Sequence, residues 1–210
     1  MKLTIAEGLY LIALDDEEGR LLSAAEKSID AGLLSAMVLE LSLLKKISLE
    51  DAKIKVNDTT GVGNIVMDKV LQKLKTGAPF IDQIESLVGQ FPNIQEDLIN
   101  LLLQRGILQK EATKLLWIPL SERMDNANYA FEQEIRDALK AIVFKNAKPT
   151  PSFVILMSLI FDCHILNEVF KDEDELIDAV KVAKDIVNSP VIDPATSAVL
   201  KILRTYFTGK

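Results

Sequence analysis

Residues 32–46 read Gly-Leu-Leu-Ser-Ala-Met-Val-Leu-Glu-Leu-Ser-Leu-Leu-Lys-Lys, and no other stretch restricts the fold so tightly. Leu33, Leu34, Met37, Val38, Leu41 and Leu44 recur at three- and four-residue steps, and Leu39 and Leu43 widen the stripe. A helix apolar on most sides has to be buried on most sides. Only Glu40 interrupts the pattern before Lys45 and Lys46, two bases suited to the free carbonyls of a helix C-terminus. Such a helix demands other helices packed around it, so the expected fold is mainly α.

The chain is long enough, at 210 residues, to wrap that helix in a substantial core, and a single domain over residues 1–210 is expected. A net charge of −7 argues against bulk attraction to nucleic acid or to anionic lipid, so binding of either kind needs a local basic patch. One cysteine excludes an internal disulfide framework and fits a reducing compartment. No apolar run before Asp15 is long enough for a signal peptide. The longest strongly apolar run, 153–161, stops at Asp162 and is too short to span a bilayer.

In chain order, Thr4-Ile-Ala-Glu7 is a capping box that opens a short helix to about Leu14. The acids of 15–19 read as a solvated turn, since they lack the alternating spacing and distal Glu of a calcium loop. Ser23-Ala-Ala-Glu26 reads as a second capping box, opening a helix that Gly32 interrupts. Residues 47–56 alternate as a β-hairpin. Gly61-x-Gly63 follows a strand and opens a helix, but Val66 stands where a dinucleotide loop needs its third glycine, so a turn is favoured. Helices are expected over about 64–74, 80–88 and 93–105, then a second hairpin over 107–120. Both hairpins follow a helix that ends on a base and enters the first strand at an isoleucine, Ile47 and Ile107, a weak internal repeat of two copies. The remainder is read as helices over 126–144, 152–170, 172–188 and 193–207, for about nine in all.

Motifs for chemistry are sparse. Cys163 and His164 are the only residues of their kinds, and neighbours on a helix point about 100° apart, so they read as packing residues rather than a nucleophile and base. One His and one Cys do not make a structural zinc site, and no P-loop, Gly-x-Ser-x-Gly or His-Glu-x-x-His run is present. Neither catalysis nor a cofactor is expected.

The second hairpin carries more information. Leu115, Leu116, Trp117 and Ile118 form a large apolar run at a loop and include the only tryptophan. Strand alternation sends half of such a run into the core. The other half suits a membrane interface, where an indole keeps its ring in an apolar layer and its N–H in a wet one. Residues 45–56 carry Lys45, Lys46, Lys53 and Lys55 against Glu50 and Asp51, and 105–123 carry Arg105, Lys110, Lys114 and Arg123 against Glu111 and Glu122. Two basic segments in an acidic chain make a basic spot beside an apolar tip if they share a face. At about 1 kcal/mol per base near an anionic leaflet, they support a weak, reversible contact.

The run Leu3-Thr-Ile-Ala-Glu-Gly-Leu-Tyr-Leu-Ile-Ala-Leu-Asp-Asp-Glu-Glu-Gly19 resembles the opening of the Golgi phosphoprotein 3 family. So do Gly32-Leu with Leu39-Glu-Leu-Ser-Leu and Ile47-Ser-Leu, Asp58-Thr-Thr-Gly with Asp68, and Leu101-Leu-Leu-Gln-Arg-Gly-Ile-Leu with Leu115-Leu-Trp. The resemblance implies a mainly α fold and a non-enzymatic adaptor, cytoplasmic and peripheral on the cytoplasmic face of a membrane. Eukaryotic members bind phosphatidylinositol 4-phosphate on Golgi membranes and hold glycosyltransferase tails there. It also implies that Leu115, Leu116, Trp117 and Ile118 form the apolar hairpin that engages a bilayer or another subunit.

The family's lipid-binders surround the headgroup phosphate with a Trp and three Arg, whose forks grip phosphate bidentately. Ala25 stands at the Trp position here, and Leu34, Pro92 and Gln95 stand at the Arg positions. The family's basic N-terminal tail is not expected either. These departures point to a distant, bacterial-type member, with Arg20 and Lys27 as substitute headgroup contacts near the first two positions. The expected partner is an anionic membrane lipid, including phosphatidylinositol 4-phosphate, and not nucleic acid. The rival reading is a soluble homo-oligomeric interaction module that uses the same hairpin. A winged-helix reading around Arg105 conflicts with the acidic net charge.

Overall fold

The computed structural model describes residues 3–15, 20–115, 118–126 and 129–209, with backbone only over 110–126. Its centre is helix α2 (Ile29–Leu43), in which eleven residues are buried, from Ile29 to Leu41. Around it pack α1 (Ile5–Ile12), α3 (Ile65–Lys73), α4 (Phe80–Gln90), α5 (Ile94–Gln104) and α7 (Pro151–Asp162). The remaining helices are α6 (Tyr129–Phe144), α8 (Leu166–Val169), α9 (Glu173–Asp185), a 3-10 turn at Ile186–Asn188, and α10 (Pro194–Thr208). Two separate antiparallel hairpins complete the described residues: β1 (Ile47–Glu50) with β2 (Lys53–Val56), and β3 (Leu108–Leu115) with β4 (Ile118–Asn126). The mainly α architecture with a buried central helix and two hairpins therefore holds.

Local chemistry explains most boundaries. At α1 the Thr4 hydroxyl accepts from the Glu7 N–H, and the Glu7 carboxylate accepts from the Thr4 N–H at 2.8 Å, which is the capping box. Asn64, Thr150, Asp172 and Asp193 cap α3, α7, α9 and α10 by accepting first-turn N–H groups, without the reciprocal bond. Three helices end alike. The N–H of Lys46 donates to Leu41 O, that of Ile107 to Leu102 O, and that of Ile165 to Ile160 O, and in each case the residue before donates to the carbonyl three residues back. Lys45, Gly106 and His164 take the left-handed conformation that this ending requires, at φ 62°, 67° and 62°.

Several sequence expectations need correction. Gly32 does not interrupt a helix. α2 runs through it, and residues 23–28 form turns rather than a capped helix. The glycine is there for proximity, since a Cβ at Gly32 would stand 2.7 Å from Cys163 Sγ. The helix expected over 152–170 breaks at His164, because the left-handed ending closes α7 and α8 starts anew. The second hairpin runs to Asn126, not 120, and delays α6 to Tyr129. Its charged strands pair Lys110 with Met124 and Glu111 with Arg123, and Pro119 is accommodated beside a register shift at Thr113/Lys114. Of the acidic turn expected at 15–19, residues 16–19 lie outside the described residues, while Leu14 and Leu21 pair at its base. Ten helices are described, the helix expected from Ser23 being absent and the short α8 being added by the break at His164.

Candidate membrane-interface site

Both hairpins start from one end of the helical body, and β1–β2 packs back onto it through buried Ile47, Leu49 and Ile54. α1 fixes this geometry through its first turn. The Ile5 N–H donates to Glu40 Oε2 at 2.7 Å, close to the C-terminal end of α2, and Arg105 at the end of α5 donates to the Glu7 carboxylate. The ends of α2 and α5 thus both abut the start of α1, and each is followed within four residues by a hairpin. The twofold repeat of helix, left-handed ending and hairpin starts both ribbons from helix ends that meet the first turn of α1.

The bases divide into those spent internally and those left outside. Arg105 is paired with fully buried Glu7 and is not a surface base. Lys46 Nζ donates to Asp58 Oδ2 and to Thr60 Oγ1, both at 2.6 Å, and is largely covered. That ammonium, with the Thr60 N–H and hydroxyl, holds the Asp58 carboxyl down to about 2. Lys55 meets Glu50 at 3.1 Å on the surface, while Lys45 and Lys53 are exposed. The sequence reading missed Lys75. The open edge of β2 pairs onward with the next loop, the Gly77 N–H donating to Ile54 O and the Ile54 N–H to Ala78 O. The Val56 N–H also donates to Thr76 Oγ1 at 3.0 Å, which brings exposed Lys75 alongside β2. The one signal in the sequence was the Lys75-Thr-Gly turn, and nothing local said which edge it would cover.

At the ribbon tip, Leu115 and Ile118 are paired backbone to backbone. Leu116 and Trp117 lie outside the described residues. Strands of this length, at about 3.3 Å per residue, make a ribbon roughly 25 Å long.

Of the expected headgroup positions, Ala25 precedes α2, Leu34 lies near its middle, and Gln95 sits at the start of α5, about 15 Å along the axis from Arg105. Ala25 and Leu34 are fully buried in the core, and Gln95 donates to Asp30 Oδ1 at 2.7 Å. Arg20 and Lys27 are both exposed on the segment ahead of α2, with no contact joining them. The described residues here do not form a cationic cradle. A cleft of about 110 Å³ at the start of α1 is lined by Ile5, Phe131, Phe153 and Leu156 with the carboxylates of Glu40 and Glu134, a lining that repels phosphate.

Other motifs resolve structurally. At the Gly61-x-Gly63 turn, Asp68 Oδ1 accepts the Val62 N–H at 2.6 Å, so the chain's own carboxylate occupies the place a phosphate would take. The Cys163 thiol is buried, which pushes it up to about 12, and its Sγ faces Ser28 O rather than an imidazole. Among the described residues no group of three His, Cys, Asp or Glu is placed to hold a metal, and no helix is long and apolar enough to cross a membrane.

A family model described as Golgi phosphoprotein 3 (GPP34) matches residues 5–205. That match runs from the capped first helix to the last, through both hairpins and the buried central helix, and the chain belongs to the Golgi phosphoprotein 3 family.

Proposed function

We propose that this chain is a single-domain, non-enzymatic adaptor that associates peripherally with the cytoplasmic face of a membrane through the end bearing the two hairpins. The observation that carries the reading is the β3–β4 ribbon. It is a sheet of only two strands, and such a ribbon is marginal in water unless something else covers it. An apolar tip at Leu115–Ile118 suits a bilayer interface, and the exposed lysines Lys53 and Lys75, on the first hairpin and its covering loop, suit anionic headgroups. Arg20 and Lys27 stand away from that end and serve as secondary contacts. Phosphatidylinositol 4-phosphate is one anionic ligand among others in this reading. A second reading has the ribbon covered by another copy of the chain.

Liposome co-sedimentation tests this directly, with neutral, phosphatidylserine and phosphatidylinositol 4-phosphate vesicles. Salt-sensitive binding to both anionic vesicles is expected, weakened several-fold by Trp117→Ala and by Lys53→Ala/Lys75→Ala. Binding to phosphoinositide vesicles alone would point to a dedicated headgroup site. A folded sample that ignores all vesicles but sediments as a dimer disrupted by Trp117→Ala would establish the homo-oligomer instead.

A further inference from the structure

Helix α7 ends on a carboxylate that the membrane reading does not use. Asp162 is only 3% exposed. Arg204 of α10 donates Nε–H to Oδ1 at 3.1 Å, and the Ser158 hydroxyl donates to Oδ2 at 3.4 Å. A carboxylate accepts about four hydrogen bonds, and charge-assisted ones run nearer 2.7–2.9 Å. Asp162 is therefore both buried and under-bonded.

Its cation is not. Arg204 Nη1 donates to the Lys184 carbonyl at 2.8 Å, and Nη2 to the Ala183 carbonyl at 2.9 Å and to Ser158 Oγ at 3.3 Å. The guanidinium also lies 4.9 Å from the centre of the Phe161 ring. These contacts tie α10 to α7 and to the end of α9 whether or not Asp162 carries charge. Of the charged groups on neighbouring elements, Arg204 and His164 draw on Asp162. Lys184 and Asp185 on α9 and Lys201 on α10 are exposed, while Asp30 on α2 and Glu7 on α1 are engaged with Gln95 and Arg105.

We propose that Asp162 and Arg204 form a buried proton-binding site, which takes up one proton from solvent between neutral and mildly acidic pH while Arg204 keeps the C-terminal helices in place. The proton goes to a carboxylate oxygen, and the new O–H turns toward Ser158 Oγ, now an acceptor. The node changes from neutral to singly positive. Burial pushes the Asp162 carboxyl from 3.8 up to about 6, and Arg204, Ser158 and His164 pull back only part of that shift. The folded chain then binds the proton more tightly than the unfolded chain. This site's contribution to stability is greatest in acid and falls as pH rises through about 6. Acid therefore favours the folded chain at this site.

The test is a carboxyl-carbon NMR titration of the full chain labelled at Asp, from pH 7.5 to 4.5, with urea unfolding at pH 7 and pH 5. His164→Gly is included in each background to remove the one imidazole. One Asp resonance, absent from Asp162→Asn, is expected to titrate near 6, and Ser158→Ala is expected to move it upward. The wild-type folding equilibrium constant gains about tenfold from pH 7 to pH 5 relative to Asp162→Asn. Parallel stability profiles for wild type and Asp162→Asn would overturn the proposal. If Asp162→Asn does not fold, the wild-type and Ser158→Ala titrations decide, and flat Asp resonances above pH 5 in both would overturn it equally.

Discussion

Gly32 shows how a single residue can carry opposite meanings in sequence and in space. As a sequence symbol it reads as a break, because glycine lowers helix propensity by about 1 kcal/mol. In the structure it lies inside the central helix, where a Cβ would stand 2.7 Å from Cys163 Sγ and 3.4 Å from Leu9 Cδ2. Gly32→Ala gains the propensity term and suffers overpacking of about 1–3 kcal/mol, so a net loss of stability is expected. Urea midpoints measure it, and a partial recovery in Gly32→Ala/Cys163→Ala identifies the thiol as the obstacle. An unchanged or raised midpoint for Gly32→Ala would contradict the close approach. His164 is the complementary case. Histidine at a left-handed helix ending has no local signature, so the break after α7 stayed hidden inside the single helix expected over 152–170.

Most elements were legible where capping chemistry or periodicity marked them, the Ser23–Glu26 pattern, which forms turns, being the exception. Thr4 with Glu7, and Asp193 with Pro194, fix helix starts to within a residue. The repeat of helix and hairpin was legible from its two isoleucines, and it proves to share a hydrogen-bonded ending as well. Pairing across long sequence separation was not legible. Arg105 reads as a surface base of the second hairpin, yet it is spent on Glu7, which is completely buried. Breaking such a pair strands a charge in the core. Arg105→Ala should cost about 3–5 kcal/mol, and Glu7→Gln in the same background should return much of it. A double-mutant cycle by chemical denaturation reads the coupling. Strict additivity would mean that the two side chains do not depend on each other.

At the scale of the molecule, helical content and a buried centre follow from composition and periodicity, because so apolar a central helix has nowhere else to go. The candidate surface was only half legible. Its apolar tip and first hairpin's lysines are local features, whereas the contribution of Lys75 depends on a loop pairing with the edge of β2. The spatial separation of Arg20 and Lys27 from the hairpins needed the packing of α1, α2 and α5. The β3–β4 ribbon meets the helical body chiefly at α5. Replacing residues 110–124 with a short flexible linker is therefore expected to leave helical circular dichroism and the thermal midpoint nearly unchanged while abolishing vesicle binding. Collapse of the helical signal would mean that the ribbon is part of the core.

Every residue of α1 is buried, and the helices that bury it are α2, α6 and α7. α7 ends at Asp162, more than a hundred residues after α2 ends at Leu43. At a ribosomal pace of about 5–20 residues per second, the first helix leaves the tunnel roughly ten seconds before its last cover does. For that interval the nascent chain presents an apolar hairpin of α1 on α2 with one side bare. A helix made well before its last cover stays half-finished until α7 arrives, and until then it is a natural client for whatever chaperone waits at the tunnel exit.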